Sequence, residues 1–191
     1  MRPLLLASLA LLTTAAQAVP TQWAGNGHWY EYISTPVAAT EAFDAAAASS
    51  WSGMDGYLVT VTSAEENSFV ADLAGGALAW MGGSDDGASV NDWTWRVGPE
   101  AGQAFTYTNW GGGEPNDCCG GENYVHINWG ALGFWNDHGG PANAGQVNGY
   151  VVEYSALPVP EPSALALWAA GLAGLGWTAR RRRAQGCRAQ G

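Results

Sequence analysis

Three short stretches hold most of the residues able to do chemistry: Glu114-Pro115-Asn116-Asp117, Glu122-Asn123 and Trp135-Asn136-Asp137. Glu114, Asn116, Glu122, Asn136 and Asp137 bring five side-chain oxygen donors into 24 residues of glycine-rich chain. Carboxylates and amide carbonyls in a flexible loop suit a hard cation. Calcium takes about 6–8 such ligands. Zinc is a poor match, because Cys118 and Cys119 are adjacent while His126 and His138 lie on separate segments, so no Cys/His quartet forms. Any one stretch alone reads as a surface turn, or as a core tryptophan followed by a turn; the set carries the metal reading. Asp137-His138 with the loop carboxylates resembles an acid–base pair, but no nucleophile motif or phosphate-binding loop accompanies it. The chain is therefore not read as an enzyme.

The charge distribution agrees. The chain of 191 residues has no lysine, and all 17 acidic residues lie between Glu31 and Glu161 with Arg96 as the sole basic residue among them. Such self-repulsion opposes compaction unless cations offset it. Nucleic acid is excluded as a partner, since phosphate binding needs a basic face.

The elements that must position these donors are short. Gly27 to Ile33 alternates aromatic and polar residues and predicts an opening strand. Thr40 is the expected N-cap of an alanine-rich helix from Glu41 to Ser50. Tyr57 to Val61 reads as a strand. Ser63-Ala64-Glu65-Glu66 reads as a capping box opening a second helix to Leu73. Ala79 to Gly83 is a buried strand ending in glycine, followed by a long polar region interrupted by Trp93-Thr94-Trp95, Tyr124 to Ile127 and a last strand Gly149 to Tyr154. Two helices, short antiparallel strands and one long loop make an α+β domain over residues 19–155. A long irregular stretch inside a compact domain is usually functional.

Both ends read as addresses. Arg2, the apolar run Leu4 to Leu12 and Ala16-Gln17-Ala18 form a secretory signal peptide over residues 1–18. At the other end, a linker over 156–162 carries Pro160-Glu161-Pro162, the apolar stretch 163–179 covers roughly 25 Å as a helix, and 180–191 is a basic tail opening with four arginines. The stretch is short for a ~30 Å hydrocarbon core but workable with snorkelling arginines, which set the tail on the cytoplasmic side. A plain stop-transfer anchor is the simple reading. In its three ordered parts the segment resembles the PEP-CTERM sorting tail. That resemblance implies an exosortase-type processing enzyme as a partner, transient inner-membrane anchoring, and release to the cell envelope or exterior. The extra Ala184 to Gly191 departs from the pattern.

From Trp23 to Tyr154, about two-thirds of the chain, the order of elements and motifs resembles the C-type lectin-like domain family, with Trp80-Met81-Gly82-Gly83 in place of that family's Trp-Ile-Gly-Leu. The resemblance implies a C-type lectin-like fold with a long calcium-binding loop. It also implies that Glu114, Asn116, Glu122, Asn136 and Asp137 ligate one calcium across a cis Glu114–Pro115 bond. Glu-Pro-Asn goes with mannose- or glucose-type sugars, and Glu114, Asn116, Glu122 and Asn136 would bind the sugar hydroxyls. A secondary metal site would use Asp85, Asn91 and Asp117, although Ser89 stands where a glutamate is expected. Glu66 and Glu153 fall where a further peripheral site is conceivable, but Glu66 reads more simply as a solvated helix-turn carboxylate. The family's two usual disulfides are missing, since Ala47, Tyr124, the segment after Asp137 and Val152 supply no cysteine. Loss of such bonds costs ~2–5 kcal/mol each, which calcium and the tryptophan-rich core would offset. Cys118 and Cys119 either close on each other or pair between chains.

The expected function is calcium-dependent carbohydrate binding in the cell envelope or exopolysaccharide matrix. The alternative is a calcium-stabilised structural or adhesive domain that binds no sugar.

Overall fold

The computed structural model describes residues 19–139 and 145–155. The signal peptide, the Pro160-Glu161-Pro162 linker, the apolar stretch 163–179 and the basic tail lie outside the described residues. Among the described residues no helix is long and apolar enough to cross a membrane.

The strands are β1 (Thr21–Gln22), β2 (Trp29–Ile33), β3 (Ser50–Trp51), β4 (Met54–Leu58), β5 (Ala79–Ser84), β6 (Thr94–Trp95), β7 (Tyr124–Ile127), β8 (Trp135–His138) and β9 (Gly149–Tyr154). The helices are α1 (Ala39–Ala47) and α2 (Ala64–Leu73). The main sheet runs β1-β2-β9-β5-β7-β8. Most pairings are antiparallel, as expected. The exception is β5 with β9, which pair in parallel with Ala79 opposite Gly149 and Trp80 opposite Tyr150. The sheet is therefore mixed. Sequence pattern cannot tell the two orientations apart here, because both strands are buried along their whole length and show no alternation of buried and exposed positions.

Helix α1 starts earlier than expected. Ala38, not Thr40, is the N-cap; the Glu41 carboxylate reaches back and accepts from the Ala38 N–H at 3.1 Å. A glutamate three residues on can satisfy that orphan donor with no hydroxyl at the cap. Helix α2 starts as expected. Ser63 accepts from the Glu66 N–H at 3.2 Å, but the Glu66 side chain turns inward and accepts from the Thr62 N–H at 2.7 Å. Glu66 is 2% exposed, which corrects the solvated reading of this residue.

Two apolar clusters fill the fold. One joins α1 to Leu58, Trp80, Val152 and Tyr154. The other packs Val70 and Ala71 of α2 against Trp95, Val125, Ile127 and Trp135. Trp135 is fully buried, and its indole N–H donates to Asn67 Oδ1 at 2.6 Å. Truncating such a side chain to alanine costs ~3–5 kcal/mol. Gly83 has no room for a side chain: a Cβ there would lie 2.2 Å from Phe105 Cζ. That contact brings the chain beyond β6 down onto the sheet, and from there it continues into the acidic loop.

Candidate functional site

Strand β8 places Asn136 and Asp137 side by side, with Val125 opposite Asp137 and His126 opposite Asn136 in β7. The tryptophan before them anchors the pair in the core, so Asp137 is wholly buried and Asn136 is 5% exposed. The stretch was expected to lie in a loop. It is a strand because Trp135, Asn136 and Asp137 are all buried and the ladder satisfies their backbone groups.

The loop 111–117 folds over this strand. Gly111 donates to the Trp135 carbonyl at 2.8 Å, and Glu114 donates to the Gly111 carbonyl at 3.1 Å. The Glu114–Pro115 bond is cis. Asp137 then receives the turn: its oxygens accept from the Asn116 N–H at 3.2 and 3.1 Å and from the Asp117 N–H at 2.8 Å. The Asn116 amide donates to Glu114 Oε2. Glu122 accepts from the Cys118 N–H at 3.0 Å and lies 3.2 Å from His138 Nδ1.

Glu114, Asn116, Glu122 and Asp137 are thus tied into one hydrogen-bonded loop. Asn136 stands at its edge, with its amide donating to the Asp137 carbonyl at 2.6 Å and lying 3.3 Å from His126 Nε2. Burial and the neighbouring Asp137 and Glu122 carboxylates hold the Glu114 carboxyl above its ordinary range. His126, enclosed beneath the site, is pushed down to about 4 by burial and stays a neutral imidazole. Among the described residues no arginine pairs with these carboxylates; the ion pairs are His28–Glu153 and His138–Glu122.

The set Asp85, Asn91 and Asp117 is not drawn together in the same way. Asp85 accepts from the Asn91 N–H at 2.8 Å and from Asn123 at 3.0 Å. Asp117 instead accepts from the Glu122 N–H at 3.0 Å. Cys118 and Cys119 are bonded to each other, which decides between the two pairings left open by the sequence. Among the described residues no three His, Cys, Asp or Glu side chains form a ready metal cluster.

A second polar group lies on the opposite side. The Tyr30 hydroxyl sits 2.8 Å from Glu66 Oε1 and 3.2 Å from Glu153 Oε1. His28 Nδ1 lies 2.6 Å from Glu153 Oε1, and the Thr60 N–H donates to Glu153 Oε2 at 3.1 Å. Protein donors therefore take up these two carboxylates. His28 directly precedes β2 and Tyr30 lies in it, and β2 pairs with the strand holding Glu153.

The family model for the Lectin C-type domain matches residues 40–147, more than half of the chain. The chain belongs to the C-type lectin domain family. A second model, the PEP-CTERM protein-sorting motif, matches residues 158–183, which supports export with membrane anchoring before processing. Halomucin of Haloquadratum walsbyi is 37% identical over 143 residues, which cover 69% of this chain and 2% of that protein. A perlucin-like protein of Mytilus galloprovincialis is 37% identical over 90 residues, 44% of this chain and 54% of that one. The chain thus spans about half, or far less, of the length of these relatives. The cow carbohydrate-recognition domain of CD23, solved in the presence of a GlcNAc2Man3 oligosaccharide, superposes with a TM-score of 0.52 at 27% identity, covering 68% of this chain and 89% of that one. The C-type lectin domain is a non-enzymatic binding fold.

One exposed residue escaped the sequence reading. Trp129, on the turn between β7 and β8, is 45% exposed. Its signal was a tryptophan set between two turn formers, Asn128 and Gly130, both at positive φ.

Proposed function

We propose that this domain binds carbohydrate through a calcium ion held by Glu114, Asn116, Glu122, Asn136 and Asp137. The observation that carries the reading is the acidic loop itself: hydrogen bonds through Asn116 and Cys118 tie Glu114, Glu122 and Asp137 together, and among the described residues no arginine pairs with them. Three carboxylates and two amides form a hard-oxygen donor set for calcium. The ion would neutralise the cluster and offer open positions to a pair of sugar hydroxyls. Glu114, Asn116, Glu122 and Asn136 would accept from and donate to the same hydroxyls, with mannose- or glucose-type sugars the fitting class. Asp85, Asn91 and Asp117 remain a weaker secondary set, joined only in part by hydrogen bonds. The protein would act at the cell envelope or in an exopolysaccharide matrix once an exosortase-type enzyme has processed the tail at Pro160-Glu161-Pro162.

A second reading has its own observation. The loop is already closed by backbone donors to Asp137 and Glu122, so calcium could serve only to stabilise a structural or adhesive domain. One pair of measurements separates the two. Millimolar calcium raises the melting temperature and chelator reverses it under both readings, by RT ln(1 + [L]/Kd). Calcium-dependent retention on mannose- or glucose-bearing multivalent surfaces belongs to the first alone. A melt indifferent to calcium overturns both.

A further inference from the structure

We propose that Trp129 is a stacking platform extending the sugar site, so that the ligand is a run of a linear polysaccharide and not a single terminal sugar. This rests on the carbohydrate reading above.

The turn carrying Trp129 is pinned. The Asn128 amide donates to the Ala71 and Ala77 carbonyls at 3.3 and 2.9 Å, and its Oδ1 accepts from the Gly133 N–H at 2.8 Å. Trp129 N–H donates to the Phe134 carbonyl at 3.0 Å. The backbone carrying this large indole is therefore fixed, while the residue stays 45% exposed. Leu132 and Phe134 of the same turn are 58% and 41% exposed. Scattered apolar exposure needs no explanation, but three large side chains on one anchored turn do.

Its position gives the explanation. Gly111 lies between the indole and the acidic loop: a Cβ placed there would be 3.4 Å from Trp129 Cδ1 and 3.7 Å from Glu114 Cγ. The platform thus borders the turn that presents Glu114 and the exposed Asn116. On its other side the indole meets the His126 ring edge-to-face, with centroids 5.9 Å apart, and His126 Nε2 reaches Asn136. Trp129 is thus one residue removed from each arm of the candidate ligand set, through Gly111 from Glu114 and through His126 from Asn136, and cannot ligate anything itself.

Sugar rings have one face of C–H groups and a rim of hydroxyls. A cation takes hydroxyls from the rim of one unit; an adjacent aromatic face takes the C–H face of the next. A rigid, two-torsion side chain loses little entropy in doing so. A second unit on Trp129 is rewarded only if the glycan continues past the calcium-bound sugar.

The test uses the full chain, calcium-loaded, as wild type, Trp129→Ala and Trp129→Phe. The probes are linear mannose and glucose hexasaccharides beside the corresponding methyl glycosides. Trp129→Ala should weaken hexasaccharide binding about tenfold, leave methyl glycoside binding within about twofold, and keep the calcium-induced rise in melting temperature. Trp129→Phe should recover most of the hexasaccharide affinity. Equal loss for both probe lengths, or no loss, overturns the platform and leaves the carbohydrate reading intact. So does a wild-type dimer that Trp129→Ala turns into a monomer, since the indole would then be a self-contact. A wild type that retains neither probe in calcium overturns the carbohydrate reading and the platform together.

Discussion

Asp137 holds Asn116 by its backbone: both carboxylate oxygens of the buried aspartate accept from the Asn116 N–H, at 3.2 and 3.1 Å. The aspartate therefore shapes the Glu-Pro-Asn turn before any ion arrives. Replacing it with asparagine keeps the volume and removes the charge that strengthens these bonds. Asp137→Asn should lose about 1–3 kcal/mol of stability in chelator, read by urea unfolding, and should abolish the calcium-induced rise in melting temperature. Unchanged stability in chelator would mean that the turn is held by other contacts.

The Asn116 amide donates to Glu114, so the two side chains set a donor–acceptor polarity at the loop's mouth. The double change Glu114→Gln with Asn116→Asp reverses that polarity and keeps every oxygen. Calcium stabilisation should largely persist, while preference moves from mannose- or glucose-type towards galactose-type sugars. Each mispaired group costs about 1–3 kcal/mol against the wrong sugar. Competition on multivalent glycan surfaces reads the change, and unaltered selectivity would remove Glu114 and Asn116 from sugar recognition.

The buried group around Tyr30 makes stability depend on pH. The hydrogen bond to Glu153 holds His28 above its ordinary value, with the Glu153 and Glu66 charges adding and burial opposing. Burial raises Glu66, against lowering bonds from Thr62 and Tyr30. Both shifts mean that the folded state binds more protons than the unfolded one, so stability falls as pH rises. For His28 the gain is complete below its unfolded value of about 6.5 and is lost as pH passes its raised folded value. Melts in chelator should therefore fall as pH rises above about 6.5. His28→Gln should flatten that part of the curve; a profile identical to wild type would mean that the pair adds nothing.

Export should separate the two ends of the mature protein. A tag fused after Gly191 should part from the ectodomain in a host with an exosortase-type enzyme, and Glu161→Ala should slow this. Blotting for the tag against an ectodomain epitope measures it. A tag retained on most of the protein would leave the tail as a plain anchor.

Local chemistry made much of the chain legible in advance. Strand β9 and the end of α2 follow from patterns confined to a few residues, because turn formers and caps act over short range. The sorting motif at 158–183 is legible for the same reason, being a linear signal. What tertiary structure alone decided depends on partners distant in sequence. Glu66 looked like a solvated helix-turn carboxylate, yet Tyr30 and Thr62 give it enough donors to be buried. Parallel pairing of β5 with β9 joins segments about seventy residues apart. Trp129 borders the acidic loop only because the fold sets it across Gly111 from Glu114. Burial and adjacency are sums over the whole packed chain, and no window of sequence contains them.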